Sequence, residues 1–230
     1  MAEDDEKFLR IAAENASLLQ SHGLQQNHSL LDLGCGYGRL AYGLERNIQF
    51  QGKYVGFDIL KRHVDWCKSN IQSERDNYNF EHLDIQNDRY NPKGKLEAQS
   101  WKFEYDSERF DYACLFSVFT HMYEDEIKNY LSEIHRVLKS GGRCFATFFL
   151  FDEERLARIA KPDTTLCMVH VLNEHTRYHN AADKLHAICF ERRFVQQLVE
   201  TQGFRLVELN YGSWGGGHGS YQDYVVLEKV

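Results

Sequence analysis

The sequence is poor in proline and contains no paired cysteine motif. Only two prolines occur among 230 residues, and no proline-rich linker, repeat or low-complexity segment interrupts the chain. The six cysteines are scattered without a Cys-x-x-Cys spacing, which disfavours a disulfide framework and a zinc site. We therefore expect a single domain over residues 1–230, with no metal.

Basic charge is also in deficit. The chain has 27 Lys and Arg against 34 Asp and Glu, a formal net charge of −7. Because phosphate contacts need a concentrated basic surface, this balance disfavours a nucleic-acid partner. No apolar run is long enough to cross a bilayer, and the acidic first residues lack an apolar signal region. We expect a cytoplasmic protein without a membrane partner, and the oligomeric state stays open.

What the sequence does contain is a regular alternation of strand-like apolar runs and helix-like spacings. Strands are predicted at 29–33, 54–58, 78–83, 110–116, 143–151, 204–211 and 221–228, and helices at 8–19, 39–46, 60–73, 125–138 and 190–201. No helix pattern joins the last two strands, so they are expected to pair antiparallel. The pattern predicts a three-layer, Rossmann-like α/β fold: a seven-stranded, mostly parallel sheet with an antiparallel last strand and helices on both faces.

Two long segments fit no regular pattern. Residues 86–109 follow the third predicted strand, and residues 152–187, which have room for short helices, follow the fifth. Long insertions in a compact domain are usually lids or binding loops. Both begin at carboxyl ends of strands, where open α/β sheets bind ligands. We expect the two insertions to form a substrate cap.

A glycine-rich turn joins the first strand to the next helix. Gly34, Gly36 and Gly38 alternate with other residues there, and such a turn lets the backbone approach a ligand at a helix N-terminus. A dinucleotide fingerprint has the spacing G-x-G-x-x-G. Arg39 occupies its third glycine position and would obstruct close packing of strand and helix. The spacing therefore disfavours NAD, although a nicotinamide dehydrogenase remains an alternative.

Three carboxylates follow or end apolar strands in succession. Asp32 precedes the glycine turn, Asp58 lies about 20 residues beyond it, and Asp84 follows the third strand. A carboxylate at Asp32 repels pyrophosphate but suits an ammonium group, whereas Asp58 has the position that binds ribose hydroxyls in many nucleotide folds. Asp84 is placed to accept a hydrogen bond from an adenine amino group. S-adenosylmethionine (SAM) carries both an ammonium and a sulfonium charge. The carboxylates therefore favour SAM as the cofactor, with S-adenosylhomocysteine as its product.

Together these segments resemble the class I, seven-stranded SAM-dependent methyltransferase family. The resemblance is strong over residues 30–151, through the motifs at 31–39, 56–59, 82–85, 110–122 and 136–142, and weaker at 221–226. Ser140 departs from the family, where proline is common. By carry-over the family implies a set of cofactor-binding residues: Asp32, Gly34, Cys35, Gly36, Gly38, Arg39, Asp58, Ile59, Asp84, Ile85, Phe116 and Ser117.

The acceptor side is less specific in the sequence. Methyl transfer is an in-line displacement, so alignment can supply much of the acceleration. A hydroxyl acceptor must also lose a proton, and a histidine suits that step near neutral pH. His121 follows the fourth strand on the reactive side and is the candidate general base; the alternative is a packing role beside the next helix. His121 and its neighbour Tyr123 are also candidate acceptor contacts.

Further candidates for the acceptor site lie in the second insertion and in the last loop. His175, Arg177 and Tyr178 are polar or aromatic residues of the insertion, and Trp214 lies in a glycine-rich loop. His175 and His179 have the i, i+4 spacing of a helical metal pair, but no further ligand set accompanies them. We interpret the insertion segment as a substrate-facing loop. Trp214 is interpreted as an acceptor contact, with a hydrophobic plug as the alternative.

The sequence therefore predicts an enzyme that transfers the SAM methyl group to a small-molecule acceptor, with oxygen as the expected acceptor atom. A protein methyltransferase or an N-methyltransferase is the first alternative. A non-catalytic SAM-binding protein is the second.

Overall fold

The computed structural model describes residues 3–161 and 164–230. Residues 1, 2, 162 and 163, the last two within the second predicted insertion, lie outside the described ranges. Within these ranges the helices are α1 (Glu3–Ser21), α2 (Arg39–Ile48), α3 (Lys61–Asn70), α4 (Glu124–Val137), α5 (Glu153–Ile159) and α6 (Arg192–Thr201). None of the helices in the described ranges has the length and apolarity needed to cross a membrane.

The strands of the described ranges form two sheets. The larger contains β1 (Leu30–Leu33), β2 (Tyr54–Asp58), β3 (Tyr78–His82), β4 (Phe110–Leu115), β5 (Leu138–Phe148), β10 (Phe204–Asn210) and β11 (Asp223–Lys229). The smaller contains β6 (Leu150–Phe151), β7 (His170–Val171), β8 (Thr176–Asn180) and β9 (Asp183–Glu191).

The larger sheet has seven strands in the order β10-β11-β5-β4-β1-β2-β3. Its pairs from β3 through β5 are parallel, whereas β11 runs antiparallel to both β5 and β10. The predicted fold class and the antiparallel pairing of the last two strands are confirmed. Because β2 and β4 flank β1 on opposite sides, the strand order reverses there and opens a crevice at the carboxyl ends.

Apolar layers cover both faces of this sheet because successive strand side chains point to opposite faces. Leu31 and Leu33 of β1 are fully buried in the layer formed by α4 and α6, whereas Leu30 is buried in the layer formed by α1, α2 and α3. Helices α1 and α2 cross closely: a Cβ on Gly43 would lie 2.0 Å from the backbone oxygen of Ala12. The helix layers hold the strand ends in fixed register around the crevice.

The second insertion has more regular structure than its sequence predicts. Residues 152–187 contain α5, β7, β8 and the start of β9, and the smaller sheet has the order β6-β9-β8-β7. A separate apolar cluster, with Phe149, Ile159 and Met168 at its centre, packs under this sheet. The strands escaped prediction because β8, Thr-Arg-Tyr-His-Asn, lacks the apolar alternation that identifies a strand.

Several predicted boundaries differ from the structure, two of them at a junction between a helix and a strand. The helix predicted from residue 190 begins at Arg192, because Phe190 and Glu191 belong to β9 and pair with β6. The fifth strand begins at Leu138 rather than residue 143, so the residues predicted as a helix stop lie in β5. The pairing of β5 with β4 is irregular across this segment, and Gly141 there has φ of 73°. Because glycine with positive φ is typical of a helix end, the sequence predicted a helix stop at Gly141, where the structure has a strand.

Candidate functional site

Two adjoining cavities open at the carboxyl ends of β1, β2 and β4. The first has a volume of about 220 Å³ and the second about 260 Å³. Four residues line both of them: Gly34, Gly36, His63 and Phe116. The cavities therefore meet at the glycine-rich turn, in the crevice where open α/β sheets bind ligands.

The turn after β1 is held by the end of β2. The backbone N–H groups of Gly34 and Cys35 both donate to the carbonyl oxygen of Phe57, over 2.8 and 3.0 Å. Gly34 has φ of 80°, and a Cβ there would lie 2.5 Å from Val118 Cγ2. Gly36 has φ of 55° and nothing within 4 Å of its Cβ position. Gly34 thus permits close packing, whereas Gly36 leaves the floor of both cavities open.

Asp58 links this turn to the end of β2. Its Oδ2 accepts a hydrogen bond from Gly36 N at 2.9 Å, and its Oδ1 accepts one from Leu60 N at 2.8 Å. The residue is 8% exposed and lines the first cavity. Since each carboxylate oxygen can accept two hydrogen bonds, the carboxylate retains acceptor capacity toward the cavity.

Asp32 and Arg39 place opposite charges in the second cavity. Asp32 is buried and accepts a hydrogen bond from the hydroxyl of Tyr54 at 2.5 Å. Burial raises the pKa of Asp32 to about 6. Burial likewise lowers the pKa of Arg39, and the nearby Asp32 carboxylate opposes that shift. A carboxylate and a guanidinium in one cavity are the complementary groups for the ammonium and carboxylate of an amino acid.

Ser117 and Phe116 follow β4 and lie between the cavities and β5. Ser117 has φ of 58°, which is rare for a residue with a side chain. Its N–H donates to Thr147 Oγ1 at 2.8 Å, and its hydroxyl donates to Gln222 Oε1 at 2.9 Å. These contacts hold a backbone conformation of the kind that clusters at ligand sites. Ser117 lines the first cavity, and Phe116 lines both.

His121 lines the first cavity and is fixed by contacts from both insertions. Its Nδ1 lies 2.8 Å from the carbonyl oxygen of Leu185, and the ring of Tyr90 meets it edge-on with centroids 5.3 Å apart. Burial lowers the pKa of His121, with the Leu185 hydrogen bond opposing the shift. A carbonyl can only accept, so the neutral ring carries its proton on Nδ1 and leaves a lone pair on Nε2.

The remaining predicted cofactor residues divide into two groups. Ile59 and Ile85 line the first cavity, and Cys35 lines the second. Gly38 caps α2 with φ of 69°, and Asp84 accepts a hydrogen bond on Oδ1 from Asn91 Nδ2 at 3.0 Å. Neither Gly38 nor Asp84 belongs to the described lining of the two cavities. The carboxylate of Asp84 therefore braces the first insertion.

Sequence reasoning missed several polar or aromatic residues of the first cavity, among them His63, Asn87, Tyr90, Glu126 and Tyr130. Asn87 and Tyr90 come from the first insertion. They belong to no recognisable motif, because an irregular loop positions them. Glu126 lies in the first turn of α4, where it reads as a capping residue. Burial raises its pKa to about 7, and Asp88 and Asp125 act in the same direction.

The acceptor contacts predicted in the second insertion lie elsewhere. His175 stacks on Phe194 with ring centroids 3.9 Å apart, and its Nε2 lies 3.0 Å from Glu124 Oε2. Arg177 lies over the ring of Phe151, and Tyr178 stacks on His170. In the described chain, His175, Arg177 and Tyr178 are absent from the lining of both cavities.

The helical spacing proposed for His175 and His179 is wrong. His179 lies in β8 and His175 immediately precedes it, so the segment is extended. His179 Nδ1 lies 3.2 Å from the carbonyl oxygen of Cys167, whereas His175 contacts Glu124. The two histidines therefore have different partners. Among the residues that the structure describes, no group of three or more His, Cys, Asp or Glu side chains could hold a metal ion.

Trp214 packs beneath the smaller sheet. Its ring lies 4.7 Å from that of Phe149, and its Nε1 donates to Asp223 Oδ2 at 2.6 Å. Asp223 is fully buried and also pairs with Arg155 at 3.2 Å. Trp214 lies outside the described lining of both cavities. Its packing on Phe149 favours the alternative role, a hydrophobic plug. Tyr123, another acceptor candidate, is also absent from the described lining of both cavities, and its hydroxyl lies 3.4 Å from Asp88 Oδ2.

Comparisons with known proteins agree with this geometry. A family model described as a methyltransferase domain matches residues 24–203. The protein-lysine N-methyltransferase EFM4 of Saccharomyces cerevisiae is 26% identical over 162 residues, which cover 69% of this chain and 66% of that relative. The match therefore spans slightly less than two thirds of the length of that relative.

Solved structures with the same fold cover nearly the whole chain. A Pyrococcus horikoshii protein superposes with a TM-score of 0.66 at 20% identity, covering 96% of this chain and 91% of its own. The 1,6-didemethyltoxoflavin-N1-methyltransferase of Burkholderia thailandensis, crystallised with S-adenosylhomocysteine, has a TM-score of 0.63 at 18% identity, with coverages of 99% and 80%. At these identities the likeness establishes the fold.

Proposed function

The chain belongs to the class I SAM-dependent methyltransferase family, and from this premise we propose that it methylates a hydroxyl of a small molecule held in the first cavity. The enzyme uses SAM as its cofactor. The observation that carries the proposal is the neutral His121 imidazole, which lines the cavity with its Nδ1 hydrogen committed to Leu185.

The residues around the two cavities fit SAM. When bound, SAM supplies an electrophilic methyl group on a sulfonium sulfur. In our proposal Asp32 binds the ammonium group and Arg39 binds the carboxylate, because these opposite charges share the second cavity. Asp58 binds the ribose hydroxyls with its remaining acceptor capacity. Gly36 supports the fit because its Cβ position is open.

In our proposal the apolar lining residues orient the cofactor by packing against it. Ile59 and Ile85 enclose the adenine in the first cavity, and Phe116 separates the two cavities near the methionyl part. Ser117 holds the turn after β4 through its bonds to Thr147 and Gln222. Alignment of this kind supplies much of the acceleration in a displacement reaction.

His121 takes the acceptor proton in this proposal. Its Nε2 accepts the hydroxyl proton as the oxygen–methyl bond forms and the sulfur–methyl bond breaks, which leaves the sulfur neutral. The lowered pKa of His121 keeps this nitrogen unprotonated at neutral pH. Leu185 fixes the ring, since its carbonyl oxygen accepts the Nδ1 hydrogen throughout.

A lysine side chain of a protein is the second candidate acceptor. The yeast relative is a protein-lysine N-methyltransferase, and a lysine amine must also lose a proton before it attacks. The two candidates differ in what enters the first cavity: a whole small molecule or the end of a long side chain.

A methyl-transfer screen separates the candidates. Purified protein is incubated with SAM and with phenols, sugars, carboxylates, free amines or lysine-containing proteins, and S-adenosylhomocysteine is measured. Turnover with a hydroxyl compound that is lost in His121→Ala supports the proposal. Turnover confined to lysine-containing proteins overturns it in favour of the second candidate, and SAM binding without turnover on any class counts against both.

A further inference from the structure

Glu126 is a buried carboxylate whose environment the helix cap explains only in part. It is 9% exposed, lies in the first turn of α4 and lines the first cavity. Its Oε2 accepts a hydrogen bond from the backbone N–H of Tyr123 at 2.7 Å. A capping glutamate normally makes this bond at the protein surface, where water serves its other oxygen. Here the side chain lines the first cavity instead.

The other oxygen of Glu126 has unused acceptor capacity. Among the described residues no hydrogen bond to Oε1 accompanies the bond from Tyr123 to Oε2. The side chain shares the cavity wall with apolar Met122 and with Tyr130, and burial raises its pKa. A buried carboxyl group is costly unless it is paired, so this position indicates a ligand group that donates a hydrogen.

The residue that the sequence assigned to the adenine edge lies outside the cavity wall. Asp84 receives the amide of Asn91 on Oδ1, and its backbone oxygen receives the N–H groups of Lys95 and Leu96. In the described structure its carboxylate is not part of the wall of either cavity. An adenine between Ile59 and Ile85 would therefore lack the expected acceptor for its amino group.

Glu126 lines the same cavity as Ile59 and Ile85. We infer that Glu126 recognises the adenine of SAM: its free carboxyl oxygen accepts a hydrogen bond from the exocyclic amino group, the role that sequence assigned to Asp84. The inference rests on the proposed position of the adenosine in the first cavity.

The chemistry of a carboxyl group suits the Watson–Crick edge of adenine. The amino group donates, and the adjacent ring nitrogen accepts. Above its pKa of about 7, Glu126 is ionised and has only acceptor oxygens, which match an amino group and not an oxygen. The discrimination is therefore strongest at about pH 8.5, because the acid form would also donate a hydrogen to an oxygen. Hypoxanthine has an oxygen in place of the amino group and would face the Glu126 oxygen without a hydrogen.

Binding of S-adenosyl-L-homocysteine and of its deaminated analogue, S-inosyl-L-homocysteine, tests the inference. Dissociation constants are measured by calorimetry for the full-length protein, so no turnover is needed. At about pH 8.5 we expect the wild type to prefer the adenosyl compound and Glu126→Met to reduce that preference about tenfold or more, the range for one lost hydrogen bond to a charged acceptor. Glu126→Gln retains the cap, but its amide can turn to donate to the hypoxanthine oxygen, so it should keep only part of the preference.

The ratio of the two affinities separates recognition from folding. Loss of the helix cap weakens both compounds equally and leaves the ratio unchanged. Glu133 provides a matched control, because it is a buried carboxylate of the same helix that binds Arg136 and the N–H of Phe103. Glu133→Met should leave the ratio at the wild-type value even if the protein melts earlier.

Other results would overturn the inference. An unchanged ratio in Glu126→Met, with Asp58→Ala still weakening both compounds, keeps the proposed cofactor position and removes Glu126 from adenine recognition. A raised KM for the acceptor with an unchanged ratio assigns the carboxylate to acceptor binding instead. If Asp58→Ala also leaves both affinities unchanged, the proposed cofactor position itself fails.

Discussion

The Nδ1 hydrogen of His121 is donated to the backbone carbonyl of Leu185 across 2.8 Å. Leu185 belongs to β9 of the smaller sheet, whereas His121 follows β4 of the larger one. Asn87 of the first insertion donates its side-chain amide to the carbonyl oxygen of His121 at 3.0 Å. The candidate base is therefore oriented by both insertions, and the acceptor of its Nδ1 hydrogen is a backbone carbonyl that a substitution at Leu185 leaves in place.

The first prediction concerns His121→Ala. Removal of a general base typically lowers turnover by 10²- to 10⁴-fold, and we expect a loss in that range while SAM affinity changes little. Turnover is measured as S-adenosylhomocysteine formation and SAM affinity by calorimetry. His28→Ala is the control, since His28 precedes β1 at the amino end of that strand, opposite the cavities at the carboxyl ends. Wild-type turnover in His121→Ala would remove this residue as the base.

The pH dependence of turnover gives a second prediction. Burial lowers the pKa of His121 below 6.5, and the base is active only when neutral. Turnover governed by His121 should therefore decline as the pH falls, with a midpoint below pH 6.5. A profile of kcat/KM at saturating SAM measures this. A midpoint above pH 6.5 would contradict the proposed role.

A third prediction concerns Asp32→Asn. Burial raises the pKa of Asp32 from 3.8 to about 6. Between these values the folded state holds more protons than the unfolded chain, so the contribution of Asp32 to stability falls as the pH rises and is lowest above pH 6. A shift of about two units corresponds to about 3 kcal/mol at pH 7. Asparagine removes the buried charge, so the ligand-free variant should melt at a higher temperature.

The same variant should bind SAM less tightly. Asp32 is the proposed partner of the ammonium group, and truncating or neutralising a buried charged partner commonly costs 2–5 kcal/mol of binding. Wild-type affinity should also weaken about tenfold between pH 7 and pH 5, as the carboxylate takes up a proton, whereas Asp32→Asn should lose this pH dependence. Tighter binding or a lower melting temperature in the variant would refute the argument.

The sequence was sufficient to predict the strands and the ligand turn where a short apolar run ends in a carboxylate or a glycine. The order of Leu31, Asp32 and Gly34 predicts both a buried strand and a ligand turn, because glycine there lets the backbone turn close to a ligand. Asp58 was equally predictable in position, since its carboxylate follows β2 and reaches back to Gly36. These local patterns also determine the central strands of the sheet.

The cavity wall was less predictable because distant segments build it. Glu126 has a local explanation as a helix cap, which hides its burial against the first cavity. Tyr90 lies in an irregular loop whose path depends on the contacts of Asn87 and Asp84. His175 and His179 show the opposite error: their spacing suggested a helix, but pairing with β9 holds the segment in an extended conformation.

A fourth prediction concerns the ion pair between Arg89 and Asp183. It joins the first insertion to the start of β9, and both side chains are about one third exposed. Tyr90, next to Arg89, contacts the His121 ring. Loss of such a partly exposed pair costs little stability, on the order of 1 kcal/mol or less. We therefore expect Arg89→Ala to lower kcat or raise acceptor KM several-fold without a comparable fall in melting temperature.

The reversed pair provides the control for this prediction. Arg89→Asp alone places two carboxylates together and should be more harmful than Arg89→Ala. Adding Asp183→Arg restores opposite charges and should recover much of the activity, as a double-mutant cycle would reveal. If the double variant is no better than the sum of its single changes, the pair does not position the insertions.

The last prediction decides between packing and acceptor binding for Trp214. Its indole N–H is one of the donors to the buried Asp223 carboxylate, which also receives Arg155 and the N–H groups of Leu150 and Gly212. Trp214→Phe keeps an aromatic ring but removes the N–H, which leaves a buried charge short of one donor and should cost about 1–3 kcal/mol of unfolding free energy.

Chemical denaturation measures that loss, and steady-state kinetics provide the independent readout. Because Trp214 lies outside the described lining of both cavities, the KM for the acceptor and the affinity for SAM should stay near their wild-type values. Gly215→Ala should be destabilising for a related reason, since its Cβ would lie 2.2 Å from Arg155 Nη2. A raised acceptor KM in Trp214→Phe with unchanged stability would return this tryptophan to the acceptor site.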